Sequence, residues 1–217
     1  MIPKRLYAGM LASVFASGLA VAAEPGGGAR LSLEERLGSV MRDASATQVA
    51  IKAGKKVTLF CANCHGEGGN SNKPEIPNLA GQNPAYLLEQ VLKFTDGRRR
   101  NDFMQGMIKA MSDEEKVNAV MHFSSQTVKV HASSNPALAA HGKELFFKVC
   151  QRCHGEQGRG NEKIPRIAGQ QAEYLTFSLK RYRDGTGERA DPQMAANTKN
   201  LSDADIDSLV AYVSGMR

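Results

Sequence analysis

Leu6–Ala23 is an uncharged, mostly apolar run rich in Ala, Ser and Gly, and it follows Lys4 and Arg5. Beyond it the apolar positions become periodic. Leu33, Leu37 and Val40 recur at helical spacing behind Ser32, and Glu35 stands where a capping box needs it, so a helix is predicted within Leu31–Asp43. Asn83-Pro84 supplies a cap and first-turn pair for a helix that stops before Gly97, and a twin runs from about Gln171 to Asp184. Behind Ser202, Ile206, Leu209, Val210 and Val213 form one apolar stripe. Its earlier equivalent, Val117, Val120, Met121 and Ser124, follows Ser112 and Glu115, a second capping box. Strand-like alternation is scarce and tryptophan is absent, which favours small helical modules.

The pattern is duplicated after residue 53. Gly54-Lys55-Lys56 leads into Cys61 as Gly142-Lys143-Glu144 leads into Cys150, an offset of 89 between the cysteines. Pro77-Asn78-Leu79-Ala80-Gly81-Gln82 returns as Pro165-Arg166-Ile167-Ala168-Gly169-Gln170 at offset 88, followed by Tyr86 and Tyr174 at the same offset. Met104 and Met194, and the caps Ser112 and Ser202, are offset by 90. This drift predicts single-residue insertions in loops. The final apolar stripes align best at 89 while their caps align at 90, which leaves the register of the last helix open. Each copy thus predicts three helices: one ending at the first cysteine motif, one after Asn83 or Gln171, and one after Ser112 or Ser202.

The chemistry lies in Cys61-Ala62-Asn63-Cys64-His65 and Cys150-Gln151-Arg152-Cys153-His154, which use all four cysteines of the chain. C-x-x-C-H is the attachment signal of a c-type haem: two thiols a short turn apart add to the two vinyl groups of one porphyrin, and the adjoining imidazole ligates the iron. A redox dithiol is the first alternative, but no βαβ pattern surrounds either copy. A zinc site needs its cysteine pairs closer together than these. Disulfides account for the cysteines but leave the histidines and the repeat unexplained.

Lys4 and Arg5 ahead of the apolar run, with Ala20-Val21-Ala22-Ala23 at its end, read as a secretory signal peptide over residues 1–23, cleaved after Ala22 or Ala23. A retained membrane anchor is the alternative, since the run is about the minimum spanning length. Cleavage takes the formal charge from +6 to +4, a mildly basic balance that says little about partners. Nothing resembles a nucleic-acid module.

With both C-x-x-C-H motifs, both P-x-L/I-A-G-Q stretches, the tyrosines after them and a methionine before each final Ser-Asp helix, the chain resembles the dihaem cytochromes c of the cytochrome c4 family from about Gly54 to Arg217. The resemblance implies an all-α fold of two tandem class I cytochrome c domains, 54–125 and 141–217, each built around a covalently bound haem. A linker, 126–140, joins them. It implies two haem c groups held through Cys61, Cys64, Cys150 and Cys153, with electron exchange between them. It also implies a monomer exported to the periplasm, soluble or peripherally attached to the membrane, that carries electrons from the cytochrome bc1 complex to a terminal oxidase, notably of the cbb3 type. The N-terminal extension, 24–53, departs from the family, whose members reach the first motif sooner, and it has no twin in the second copy.

His65 and His154 are the expected proximal ligands, their second ring nitrogens held, by resemblance, by the carbonyls of Pro77 and Pro165. Met194 is the only methionine of the second copy besides Met216, and it stands 40 residues after its histidine. In the first copy Met104, Met107 and Met111 compete; Met104 stands 39 after His65 and seven before Met111, as Met194 stands seven before Leu201. Met104 is therefore the favoured ligand and Met107 the second choice. A thioether in the sixth position raises the reduction potential and closes the iron, which suits an electron carrier rather than an enzyme. The rival readings are an electron-accepting dihaem subunit of a periplasmic dehydrogenase and, further off, a dihaem peroxidase. His122 is expected to be a helix-packing residue and His131 and His141 to be solvated. Arg98-Arg99-Arg100 reads first as wetted surface and second as a partner for haem propionates or an acidic protein.

Overall fold

In a computed structural model of the chain, residues 31–130, 135–187 and 189–217 are described; the proposed signal peptide, the Gly-rich lead before Leu31 and His131 lie outside them. Helix α1 (Leu33–Arg42) is followed by α2 (Ala44–Val57), the one-turn α3 (Ala62–His65), α4 (Pro84–Asp96), α5 (Asp102–Ala110) and α6 (Asp113–Ser124). The second copy comprises α7 (Pro136–Leu145), a π-helical turn (Phe146–Cys150), α8 (Gln151–His154), α9 (Ala172–Asp184), α10 (Pro192–Thr198) and α11 (Asp203–Ser214). The described residues contain no sheet, only an isolated antiparallel bridge between Arg99 and Arg189.

Each module is framed by a crossing of its first and last helices, α2 on α6 and α7 on α11. Gly54 and Gly142 sit at the crossings, where an added Cβ would fall inside the contact radius of the Asn118 or Ser208 carbonyl oxygen. These contacts settle the register of the last helix at offset 90. A second pair agrees: Gly81 N–H donates to Phe123 O and Gly169 N–H to Val213 O, both at 3.0 Å. Lys116 therefore occupies the place of Ile206, and His122 that of Tyr212. Lys116 is buried, its Nζ 3.8 Å from Asp113 Oδ1, where Ile206 is fully enclosed in the second core.

Three sequence expectations are revised. Not all the single-residue insertions lie in loops: between Gly142 and Cys150 the second copy has one residue more than the first, and the π turn absorbs it inside a continuous helical run. The helices that open the modules begin at Ala44 and Pro136, earlier than the repeat suggests, because their first turns are largely exposed and free to diverge in sequence. Each copy also has a further helix, α5 or α10, which carries the candidate methionine.

Helix α1 forms as its cap predicts: Glu35 N–H donates to Ser32 Oγ at 3.1 Å and Ser32 N–H to Glu35 Oε2 at 2.8 Å. It turns directly into α2, whose first amides are capped by Asp43. Leu33, Leu37 and Val40 join the first core, with α1 lying against α2, α4 and α6. The corresponding face of the second module needs no such cover. Leu88, Leu92, Val117 and Met121 belong to the first core, whereas their counterparts are Thr176, Lys180, Asp207 and Ala211. The segment without a twin thus shields an apolar face found only in the first module.

Leu37 is 3 % exposed. Leu37→Ala is expected to cost about 2–5 kcal/mol of unfolding free energy, read as a lower denaturant midpoint with haem content unchanged.

Candidate functional site

Each C-x-x-C-H motif places its histidine at the end of a single helical turn, where a glycine with left-handed backbone, Gly66 or Gly155, redirects the chain. His65 and His154 are buried, and each Nδ1–H donates to a proline carbonyl, Pro77 at 2.9 Å and Pro165 at 3.0 Å. An acceptor on Nδ1 fixes the tautomer and leaves the Nε2 lone pair free for a metal. Burial lowers both imidazole pKa values, against the raising effect of the carbonyl bonds, and so favours the neutral, ligating form.

The loop after each motif holds more than the imidazole. Leu79 and Ala80 N–H both bond Gly69 O, as Ile167 and Ala168 N–H bond Gly158 O. Gly81 at φ +60° and Gly169 at φ +71° turn the loop so that its amide reaches the last helix. The glutamine that follows crosses to the other module. Gln82 accepts from Arg166 N–H at 2.7 Å and donates to Arg166 O at 2.8 Å. Gln170 accepts from Asn78 N–H at 2.7 Å and donates to Asn78 O at 3.0 Å. Asn78 and Arg166 are counterparts, as are Gln82 and Gln170, so the modules meet about a local pseudo-twofold axis. Asn83 Nδ2 adds bonds to the carbonyls of Asn161 and Ile164, and Gln171 Nε2 one to Ser71 O. Asn70 clips the linker through Thr127 O and Lys129 N–H.

Beside this axis lie Arg99 and Arg189, also counterparts, joined by the antiparallel bridge. Arg99 stacks over Phe94 at 4.6 Å and donates to Gln90 Oε1 at 2.9 Å and Tyr174 OH at 3.4 Å. Arg189 bonds the Tyr86 and Tyr174 hydroxyls and lies over the Tyr182 ring at 5.7 Å. No carboxylate among the described residues pairs with either guanidinium. Burial alone would raise the Tyr174 hydroxyl, but the two arginines outweigh it and draw it down to about 8. Burial disfavours the charge of Arg189, but the three tyrosines outweigh it and hold its pKa above the ordinary arginine value. Two cations half-buried among phenols suit an incoming pair of carboxylates, which a haem supplies as propionates. Of the Arg98–Arg100 run, then, Arg98 fits the surface reading, exposed and paired with Asp96 at 2.7 Å, whereas Arg99 points inward.

The candidate distal residues are fixed locally. Met104 N–H bonds the Asn101 cap at 3.0 Å and Met194 N–H the Asp191 cap at 3.0 Å, so both stand third in a short capped helix and both are half-buried. Met107 lies one turn further along α5 and is half-buried too; its counterpart is the exposed Asn197. Met111 is the C-cap of α5, and Met216 is packed in the second core. His122 is buried against α2, Nδ1 without a partner, and His141 is exposed, its Nε2 3.6 Å from Asp205.

The alternatives for the cysteines lose ground. All four are unbridged, and burial pushes the Cys150 thiol up to about 11 and raises Cys61, opposite to the depressed thiol of a redox pair. Among the described residues no group of three or more His, Cys, Asp and Glu side chains could hold a metal ion. The thiol pairs, the tautomer-fixed imidazoles and two guanidiniums with no carboxylate partner among the described residues together fit haem c. Sequence reading missed Asn78, Gln90 and Arg189 and assigned Gln82 and Gln170 no role. The usable signal was the return of an arginine five residues before each methionine and of a glutamine closing each loop motif.

A family model for cytochrome c matches residues 51–126 and 139–217. A cytochrome c4 of Pseudomonas aeruginosa is 32 % identical over 176 residues, covering 76 % of this chain and 87 % of the relative. The crystal structure of reduced recombinant cytochrome c4 from Pseudomonas stutzeri superimposes with a TM-score of 0.70 at 32 % identity, covering 76 % of this chain and 98 % of the other. A thiosulfate dehydrogenase electron acceptor of Thiomonas intermedia is 34 % identical, over 58 % of this chain and 64 % of its own.

The crossed glutamines give the module interface a measurable weight. Gln82→Ala or Gln170→Ala strands a backbone amide and carbonyl at the interface and is expected to cost about 1–3 kcal/mol. The double variant should split a single unfolding transition, followed by haem absorbance and by circular dichroism, into two.

Proposed function

The chain belongs to the cytochrome c4 family, whose members carry two haem c groups, and from that premise we propose that it shuttles electrons in the periplasm from the cytochrome bc1 complex to a terminal oxidase of the cbb3 type. The observation that carries the reading is the pair of sites, each with a C-x-x-C-H motif and a pinned imidazole, in two modules joined at the Arg99–Arg189 bridge. A bound haem c supplies one-electron chemistry, its iron cycling between ferric and ferrous states. Cys61, Cys64, Cys150 and Cys153 would hold the two haems through thioethers, and His65, His154, Met104 and Met194 would ligate their irons. Met104 is preferred to Met107 because it shares its capped position with Met194. Methionine in the sixth position favours electron transfer over peroxide chemistry. Export follows from reading residues 1–23 as a signal peptide; among the described residues no helix is long and apolar enough to cross a membrane.

A second reading has one specific support. The thiosulfate dehydrogenase electron acceptor is as similar in identity as the cytochromes c4, though over less of the chain. The same modules would then take electrons from a periplasmic dehydrogenase. The two are separated by mixing the reduced protein with membranes containing a cbb3 oxidase and the oxidised protein with thiosulfate dehydrogenase and thiosulfate. Fast reoxidation in the first mixture with no reduction in the second is expected; the opposite result would make the dehydrogenase the physiological partner.

Ligation is tested on the exported protein. Its mass should exceed that of the polypeptide by two haems. The long-wavelength sulfur–iron band of the ferric form should fall by about half in Met104→Ala and in Met194→Ala, and stay intact in Met107→Ala and Met216→Ala.

A further inference from the structure

Gln90, on α4, is 5 % exposed. Its Oε1 accepts the 2.9 Å bond from Arg99 Nη1. A guanidinium has donors only, so this contact determines which end of the amide faces Arg99. The other end, Nε2, is buried and has no hydrogen-bond partner among the described residues. A buried donor left unsatisfied costs about 1–3 kcal/mol, a penalty that an acceptor from outside the polypeptide would remove. Gln90 and Arg99 both belong to the first module, where the guanidinium also lies over the Phe94 ring at 4.6 Å. The second module is built differently. Ser178 takes the place of Gln90, while Arg189 bonds the Tyr86 and Tyr174 hydroxyls and, among the described residues, no side-chain amide.

We propose that Gln90 donates its Nε2–H to a propionate of the first haem, forming with Arg99 a two-donor clamp that the second module lacks. The proposal rests on the haem reading given above. A propionate is a negative charge near the iron and stabilises the ferric state; donors that share its charge weaken that effect and raise the potential. Gln90 therefore helps to set the two haems of one chain at different potentials, which gives the electron a preferred residence.

The test is a redox titration of the two-haem protein, with both midpoints resolved and the sulfur–iron band monitored to show that the axial ligands are kept. Gln90→Leu is expected to lower one midpoint by about threefold in the ferric/ferrous equilibrium constant, ~28 mV at 59 mV per tenfold, and to leave the other in place. Midpoints that stay put, or that move together, overturn the clamp. If Gln90→Leu does not accumulate with two haems, Ser178→Gln decides alone: a rise confined to one midpoint supports the clamp, and no change overturns it. Absence of haem from the unaltered protein would overturn the underlying reading instead, so the two failures are distinguishable.

Discussion

The hydrogen bond from the imidazole of each C-x-x-C-H motif to a proline carbonyl is the constraint from which the architecture follows. It orients the ring, and it also commits the loop that carries the carbonyl. One residue on, Asn78 or Arg166 offers its backbone N–H and C=O to a glutamine of the other module. Three residues after that, Gly81 or Gly169 ties the loop to the last helix of its own module. The same six-residue stretch thus holds the imidazole, closes the module and docks its partner.

Duplication supplied two equal frames, and the differences between them fall where the frame is not used. The crossing glycines, the loop glycines, the imidazole–carbonyl bonds and the capped methionine helices are common to both copies. What diverged lies around them. The first module is covered by α1, and the second turned the equivalent face polar. The first reaches its motif without the π turn that accommodates one more residue in the second. Gln90 bonds Arg99, and its counterpart in the second module is the shorter Ser178. In a carrier with two metal centres, such peripheral asymmetry can separate potentials without disturbing the ligands, because hydrogen bonding and burial around a haem tune its iron from outside the coordination sphere.

Much was legible from local signals. Both motifs, the caps at Ser32, Ser112 and Ser202 and the helix start at Pro84 are features of adjacent residues, and local chemistry writes them directly into the chain; Asn83, expected to cap that helix, makes no side-chain cap bond and reaches the other module instead. The register of the last helix was not legible, because its stripes match at offset 89 and its caps at 90. The contacts of Gly54 and Gly142 with Asn118 and Ser208, and the bonds of Gly81 and Gly169 to Phe123 and Val213, show that the caps set it. The extra residue before Cys150 was visible as drift, yet a loop insertion and a π turn have the same sequence length.

The sequence by itself determined the cofactor chemistry and the helical class, which depend on residues within a few positions of one another, and the two-module plan, which the repetition of those local patterns displays. Only the tertiary structure decided that α1 covers the first core, that Arg99 turns inward while Arg98 does not, and that two glutamines lock the modules together. Those outcomes depend on groups 75–103 residues apart in sequence for the module interface, and on which of several exposed-looking polar residues is desolvated when two surfaces meet. No local pattern encodes that choice, because burial is a property of the assembled fold.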